Sequence, residues 1–441
     1  MLTYSKKKWY KPETLSGKLI IMAALILFIR LLSNVPVPFI NRDYLSMLFE
    51  DSSAYSLLNT FSGGSFTRMT AMALGVTPYI TASIILQLLT VTFPRLKAYQ
   101  QENEYSNKWK ILTVLTSLIL GVIQSIGIAV TLGRRGLFTS YTFGIITTVT
   151  AIWLIGALIV TLIGEYISKY CIGNGVSIIL AANIIAELPS DILHFYQMYI
   201  SSASIIKMII AIVLFIVIVS ALIILTVIFT NAKKEIPVQY PSNANSRHKN
   251  TASIPIMLNA AGVMPIIFAS TIFSVPLMFI AGSNNTIANA FKHAFSSSYW
   301  YSLDVYGIIG LITYFFMVIG FAYFYTAMIF NPTEIANRLR RKGACIPGIR
   351  PGQPTEEYLY RKSKRMTFIG AILIFILSQI PTMIMSFTSM KTLSFGGTSI
   401  IIIVGVVAET AITIKAEMLT KKYVAKTNKT FFGIETTRAI K

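Results

Sequence analysis

Apolar and polar residues fall in long blocks along this chain, and the blocks predict helices that cross a membrane. A span needs about 20 predominantly apolar residues. Ten runs qualify, at 17–35, 72–93, 110–132, 144–168, 175–193, 203–230, 255–281, 305–330, 366–388 and 396–418. The fifth, VSIILAANIIAELPSDILHF, is short and ends in Glu187, Pro189 and Asp191, which makes it the weakest span candidate. The stretch 61–93 stands apart. Its first part, Phe61 to Thr70, has paired glycines, small polar residues and one arginine. Its second, Ala71 to Phe93, is an apolar helix candidate with Pro78 near its start and Gln87 inside. A glycine-hinged polar segment therefore runs straight into a span. Irregular backbone at membrane depth is tolerated only where protein buries it or it lines a watery cavity, so this stretch predicts a path through the protein as well as an anchor.

Within the spans some spacings carry more than hydropathy. Val76 and Ile80 in the second span, and Val176 and Leu180 in the fifth, lie four apart and share a helix face. The second pair follows Gly173-Asn174-Gly175, where glycine permits positive φ or close backbone approach. Taken alone, both pairs are ordinary apolar faces. Gln87, Gln124 and Asn259 are amides within or at the edge of spans. Such amides commonly join helices, contributing about 0.6–2 kcal/mol. Glu409 is the clearest acid inside a span, with Glu165 and Glu187 near span ends; a lone acid is thin support for a proton relay.

Composition agrees with the blocks. The 441 residues are 54% hydrophobic and 12% charged, against about 25% charged in soluble domains, and mean hydropathy is +0.66. The net charge of +21 admits either nucleic acid or anionic lipid as partner, and its placement decides. Thirty basic residues fall in the N-terminal segment, the even-numbered loops and the C-terminal end; seven fall in the opposite loops, and Arg30 lies inside the first span. The positive-inside rule then puts both termini in the cytoplasm. Topology and attraction to anionic lipid account for most of this charge. The nine basic residues in loop 331–365 exceed that need and leave room for a cytoplasmic partner.

Enzyme chemistry finds no support. Walker A, H-E-x-x-H and G-x-S-x-G patterns are all absent. His194, His248 and His293 are scattered, and Cys171 and Cys345 are too few for a disulfide framework or a zinc site. We expect no enzyme activity, cofactor or metal. No cleavable signal peptide is expected either, because the first apolar run lacks a small-residue cleavage site and continues into PVPF.

Seven motifs together carry a resemblance: GVTPYITASIILQLLT, QSIGIA, GNGVSI, IPVQY, NAAGVMPIIFAS, AYFYTAMIFNPTEIANRLRRKGACIPGIRPG and FGGTSIIIIV. In this order they resemble the SecY family of protein-conducting channels, from the first span to the tenth. The long eighth-span motif is very specific, whereas GNG or FGG alone is weak.

The resemblance implies an all-α polytopic membrane protein of ten transmembrane helices. These form two inverted, pseudo-symmetric five-helix halves around a central pore. The implied divisions are a cytoplasmic segment 1–16, an N-terminal half 17–193, an external hinge 194–202, a C-terminal half 203–418 with cytoplasmic loops 231–254 and 331–365, and a cytoplasmic tail 419–441. A lateral gate is implied chiefly between spans two and seven. The family's pore ring falls on Val76, Ile80, Val176, Leu180, Ile267 and Ile402. Its plug falls at about 53–67, with Leu57, Leu58, Phe61, Ser62, Gly63 and Gly64. Gln87, Gln124 and Asn259 match the polar cluster at the lateral gate. Arg350, with Arg340 and Arg341, matches the loop on which motor and ribosome dock.

The implied activity is passage of unfolded secretory chains and signal peptides across the bacterial plasma membrane, with sideways release of apolar segments into lipid. The implied partners are small SecE-like and SecG-like membrane subunits, the SecA motor ATPase, the translating ribosome and anionic lipids. One departure stands out. After IPVQY the chain reads PSNANSRHKNTASIP, shorter and less charged than the family pattern. This shifts docking towards loop 331–365 and fits either a divergent housekeeping channel or an accessory copy. An ion-coupled transporter would instead want polar ligands at the midplane, and an intramembrane hydrolase would want a nucleophile and base that the chain does not arrange.

The charge distribution makes one prediction directly. Cys171 and Cys345 both lie on loops assigned to the cytoplasm. A membrane-impermeant maleimide should label neither in intact cells and both in inside-out vesicles. Labelling of Cys345 from outside would reverse the topology.

Overall fold

A computed structural model of the chain describes residues 14–41, 45, 56–103, 107–199, 205–240, 252–280, 286–296, 300–301, 304–387 and 397–438. The N-terminal segment up to 13, plug residues 53–55, hinge residues 200–202, loop residues 241–251, tail residues 439–441 and the Leu57 side chain lie outside the description.

The apolar blocks fold as helices. The N-terminal half holds α1 (Leu15–Leu32), a short α2 (Ser56–Ser62), α3 (Thr77–Thr92), α4 (Pro94–Asn103), α5 (Asn107–Gly133), α6 (Phe143–Tyr170) and α7 (Gly175–Tyr199). The C-terminal half holds α8 (Ile205–Asn231), strands β1 (Lys233–Val238) and β2 (Ala252–Met257), then α9 (Met264–Ile280) and α10 (Thr286–Phe295). It finishes with α11 (Val305–Ile329), α12 (Pro332–Arg341), α13 (Gln353–Phe387) and α14 (Gly397–Arg438). Among the described residues six helices are long and apolar enough to cross a membrane, or seven if α3 and α4 count as one bent span. Three shorter apolar segments, Gly175–Ser190, Ile216–Asn231 and Met264–Leu277, coincide with the fifth, sixth and seventh predicted runs.

Local chemistry sets several of these boundaries. Thr14 caps α1, its side chain accepting from Gly17 N at 3.1 Å. The second span starts later than its hydropathy predicts. Residues 71–76 form turns, Gly75 takes φ +51°, and the helix begins only at Thr77, with Pro78 in its first turn. Proline suits that place because its missing N–H is not needed there. At the other end Phe93 is extended before Pro94, as the residue before proline prefers, and the chain bends by 119° into α4.

The seventh predicted run needs correction. Residues 255–281 read as continuous apolar chain, but 252–257 is strand β2, paired antiparallel with β1 from Lys233↔Met257 to Val238↔Ala252. Ile256 is buried between exposed Pro255 and Met257, a period of two that a hydropathy sum cannot distinguish from a helix. Helix α9 starts at Met264. The hairpin packs Ile236, Val238 and Ile256 against Leu339 of α12, Ile346 and Leu359 of α13. Gln239 and Cys345 exchange backbone hydrogen bonds of 2.9 and 3.0 Å, so the described residues of loop 231–254 pack together with loop 331–365. The ninth predicted span is likewise only the apolar part of a longer helix that begins at Gln353.

The two halves meet where α9 packs on α3 and α5 and where α14 packs on α7. Spans four and five approach closely because Gly175 has no side chain; a Cβ there would run into the Gly164 carbonyl. The outer faces of α5 and α8 leave Ile111, Leu115, Ile119, Val213, Ile216, Ile224 and Ile228 exposed. Apolar faces of that extent belong in lipid or under a membrane partner.

Candidate channel site

The central feature is a buried apolar cluster to which both halves contribute. Val76 ends the turns before α3 and Ile80 lies one helical turn on. Val176 and Leu180 open α7, Ile267 lies in the first turn of α9, and Ile402 in the second turn of α14. All six belong to one apolar cluster, and each is at most 9% exposed. The four-residue spacing on α3 and α7 turns each pair to the same side. Ile401 is buried in the same cluster, at 3% exposed, so the tenth span presents both of these neighbours to the core. Val407, further along the same helix, is 56% exposed.

Beside the cluster lies a cavity offering water about 100 Å³. Ile80, Val176, Leu180 and Ile267 form its apolar side, while Ser83, Gln87, Asn174 and Ser177 supply polar groups. Met264, Phe268 and Tyr325 close it from the other half. The cavity therefore lies along the line where α3 of one half faces α9 of the other.

The three amides read as gate residues are placed differently. Gln87 Nε2 donates to Ser83 Oγ at 3.1 Å, and Tyr325 of the other half lines the same cavity. Gln124 Nε2 approaches Thr81 Oγ1 at 3.4 Å, joining α5 to α3. Asn259 precedes α9 in the turns after β2, next to Leu258, whose carbonyl abuts Gly370 of α13. It does not line the cavity. Of the three, Gln87 lines the cavity at the seam, Gln124 ties α5 to α3 within one half, and Asn259 lies in the turns before α9.

The segment read as plug is buried against α7. Helix α2 carries Leu58 and Phe61, 2% and 1% exposed, and Phe61 shares the apolar cluster with the six ring residues. Ser62 Oγ donates to Asn59 O at 3.0 Å and accepts from Phe66 N at 3.0 Å. Gly63 and Gly64 both take positive φ, +63° and +77°, and turn the chain out of the helix. At Gly63 a side chain has no room, since a Cβ would stand 2.6 Å from the Arg30 guanidinium.

The residues read as docking sites stand on the hairpin-supported platform. Asn331 caps α12, accepting from Glu334 N, and Arg340 and Arg341 are exposed in its last turn. Arg350 is exposed in a loop between Gly348 (φ +81°) and Gly352 (φ +106°). Thr355 Oγ1 fixes its carbonyl at 2.8 Å.

Sequence reasoning left three site residues without a role. Arg30 was noted only as lying inside the first span, Glu187 only as near a span end, and Asn183 not at all. The structure brings them together beside α2. The available signal was Arg30 itself, since a charge inside a span requires a partner.

Comparison with known proteins bears on this architecture. The family model described as SecY matches residues 70–411. A protein translocase subunit SecY of Streptomyces coelicolor is 34% identical over 445 residues, covering 96% of this chain and 99% of the relative. The corresponding protein of Aquifex aeolicus is 33% identical over 434 residues, with 95% and 97% covered. Among solved structures, a protein-conducting channel superposes with a TM-score of 0.66 at 18% identity, covering 93% of this chain and 95% of that one. Sec61 in a canine ribosome–channel complex from the endoplasmic reticulum gives 0.64 at 17%, covering 93% and 94%. The structural likeness gives a shared polytopic helical fold, and sequence identity of this extent gives descent: the chain belongs to the SecY family.

Proposed function

We propose that this chain forms the protein-conducting channel of a bacterial Sec translocase, passing unfolded secretory chains through the bilayer and releasing apolar segments sideways. The observation that carries the reading is the convergence of Val76, Ile80, Val176, Leu180, Ile267 and Ile402, with Phe61 beside them, in one buried cluster drawn from both halves. An aliphatic constriction of this kind gates by dewetting. Ions meet a dry collar, while a peptide can part flexible aliphatic side chains without breaking a hydrogen bond. A transporter would need polar ligands at this place, and the collar offers none.

Ten spans in two inverted halves put both termini on one side, and the basic even-numbered loops and ends make that side the cytoplasm of a bacterial cell. Residues 56–67 serve as plug. The seam between α3 and α9, with Gln87 at it and Gln124 bracing α3 from α5, serves as lateral gate; its amide contacts are few and cheap to break. A segment leaving by that seam is sorted by transfer energy, since each Leu, Ile, Phe or Val favours the bilayer by about 0.3–0.6 kcal/mol and one central charge costs about 2.5–3.5 kcal/mol. The chain carries no nucleotide-binding motif, so work comes from a SecA-like motor or a ribosome docked around Arg340, Arg341 and Arg350. SecE-like and SecG-like subunits cover the exposed apolar faces and clamp the halves.

Two measurements test this reading. A buried amide among aliphatic groups costs about 1–3 kcal/mol, so Ile402→Asn should favour the open state about tenfold. Export of a reporter with a defective signal sequence should rise accordingly, and the resting channel should conduct ions. Val407→Asn, on the exposed face of the same helix, should leave both unchanged. Relaxation by Val407→Asn and not by Ile402→Asn would move the collar elsewhere.

The platform is tested separately. Arg350→Glu replaces attraction by repulsion at an exposed contact and should cut motor-driven export about tenfold or more, with assembly intact. Arg361, already paired with Glu357 at 3.4 Å, provides the comparison, and Arg361→Glu should do much less. Equal small effects would leave the loop as a topology signal only.

A further inference from the structure

Helix α2 ends at Ser62, and the last carbonyls of a helix lack partners within it. Two carbonyls at this end take side-chain donors from other elements. Asn183 Nδ2 donates to Phe61 O at 2.7 Å, and Arg30 Nη1 donates to Gly63 O at 3.3 Å. Arg30 also donates through Nη2 to Asn183 Oδ1. One helical turn along α7, Glu187 Oε1 accepts from Asn59 Nδ2 of α2. Asn59 Oδ1 in turn accepts from Thr67 N at 3.1 Å, closing the loop that follows α2. Asn183 and Glu187 lie four apart on α7, so both point at the plug segment. Asn59, Asn183 and Glu187 are 7%, 3% and 6% exposed. Arg30 and Glu187 attract each other, while Arg68 repels Arg30.

An apolar pocket alone would hold α2 without fixing its register, and it would not require a buried acid with a half-buried arginine beside it. Charge-assisted hydrogen bonds are directional and stronger than neutral ones. We propose that Asn183 and Glu187, together with Arg30, are positioning residues that latch the segment 56–67 against the fifth span and set the threshold for its release. The proposal rests on the reading of that segment as the plug. All the polar contacts of the latch lie within the N-terminal half, between α1, α2 and α7. Parting the seam between α3 and α9 therefore leaves the latch intact. Release of the plug becomes a separate step, driven by the chain that enters the pore.

The test is resting ion conductance of the purified channel complex in planar bilayers. Deletion of 57–64 reports whether the segment is the plug and should open the resting channel. Glu187→Leu and Asn183→Leu should each raise the resting open fraction about tenfold, the scale of one hydrogen bond to a charged group. Glu187→Gln keeps an acceptor for Asn59 and should raise it less. In the 57–64 deletion, Glu187→Leu should add nothing, because the latch has nothing left to hold. If single variants fail to assemble, Asn59→Leu with Glu187→Leu removes both partners of that bond, so neither is left unpaired by loss of the other; it also frees Thr67 N from Asn59, and it should still leak. A leaking deletion with Glu187→Leu closed as in the parent would overturn the latch and spare the plug. Equal effects of Glu187→Leu with and without the deletion would also overturn it, marking general destabilisation. A silent deletion would overturn the plug reading and the latch together.

Discussion

Between Gly63 and Val76 the backbone is neither helix nor strand, yet most of it is buried, so each amide there needs a partner. Much of the surrounding structure answers that requirement. Gly64 N reaches Asn59 O at 3.1 Å and Thr70 N reaches Ser65 O at 3.1 Å. Met69, Ala73, Gly75 and Thr77 each donate back three residues, and Ala71 N finds Val35 O at 3.0 Å, just beyond α1. Phe66 N and Thr67 N are met by the side chains of Ser62 and Asn59. Gly156 of α6 lacks a side chain where the Ala71 carbonyl comes through. Phe66, Met69, Ala73 and Leu74 then pack beneath Val149 and Trp153. A non-helical segment is thus held at membrane depth without being left to lipid.

On the proposed reading of the collar and the plug, two kinds of force divide the work of staying shut. The collar residues attract one another by exclusion of water, a force without direction that a passing peptide replaces with its own contacts. The plug segment is held by directional bonds to α1 and α7, which are lost together once it moves. A constriction made only of the first kind would be soft, and one made only of the second would be hard to open. In that proposal their combination gives a closed state that responds to a peptide and not to an ion.

The sequence disclosed the parts whose chemistry is periodic or compositional. Most helices coincide with apolar runs, and the four-residue spacing of Val76 with Ile80, and of Val176 with Leu180, does place each pair on one buried face. That these pairs belong together with Ile267 and Ile402 came from the resemblance, because nothing local links positions so distant in sequence. Strand β2 was hidden because Ile254, Ile256 and Met257 add to a hydropathy sum whichever way they point. The polar first turns of α13 were hidden for the opposite reason, since residues 353–365 carry charge and read as loop. Asn183 and Glu187 could not be assigned because a single amide or acid near a span end has no partner in sequence. Their meaning depends on Asn59, 128 residues from Glu187, reaching it in three dimensions.

The central claim is that the collar is the route of the translocating chain. Photocrosslinking from single sites to a preprotein stalled in transit measures this directly. A photoreactive residue at Ile402 should crosslink to the stalled chain, and one at Val407 should crosslink to lipid or a membrane partner. Crosslinks to the preprotein from Val407 with none from Ile402 would contradict the account.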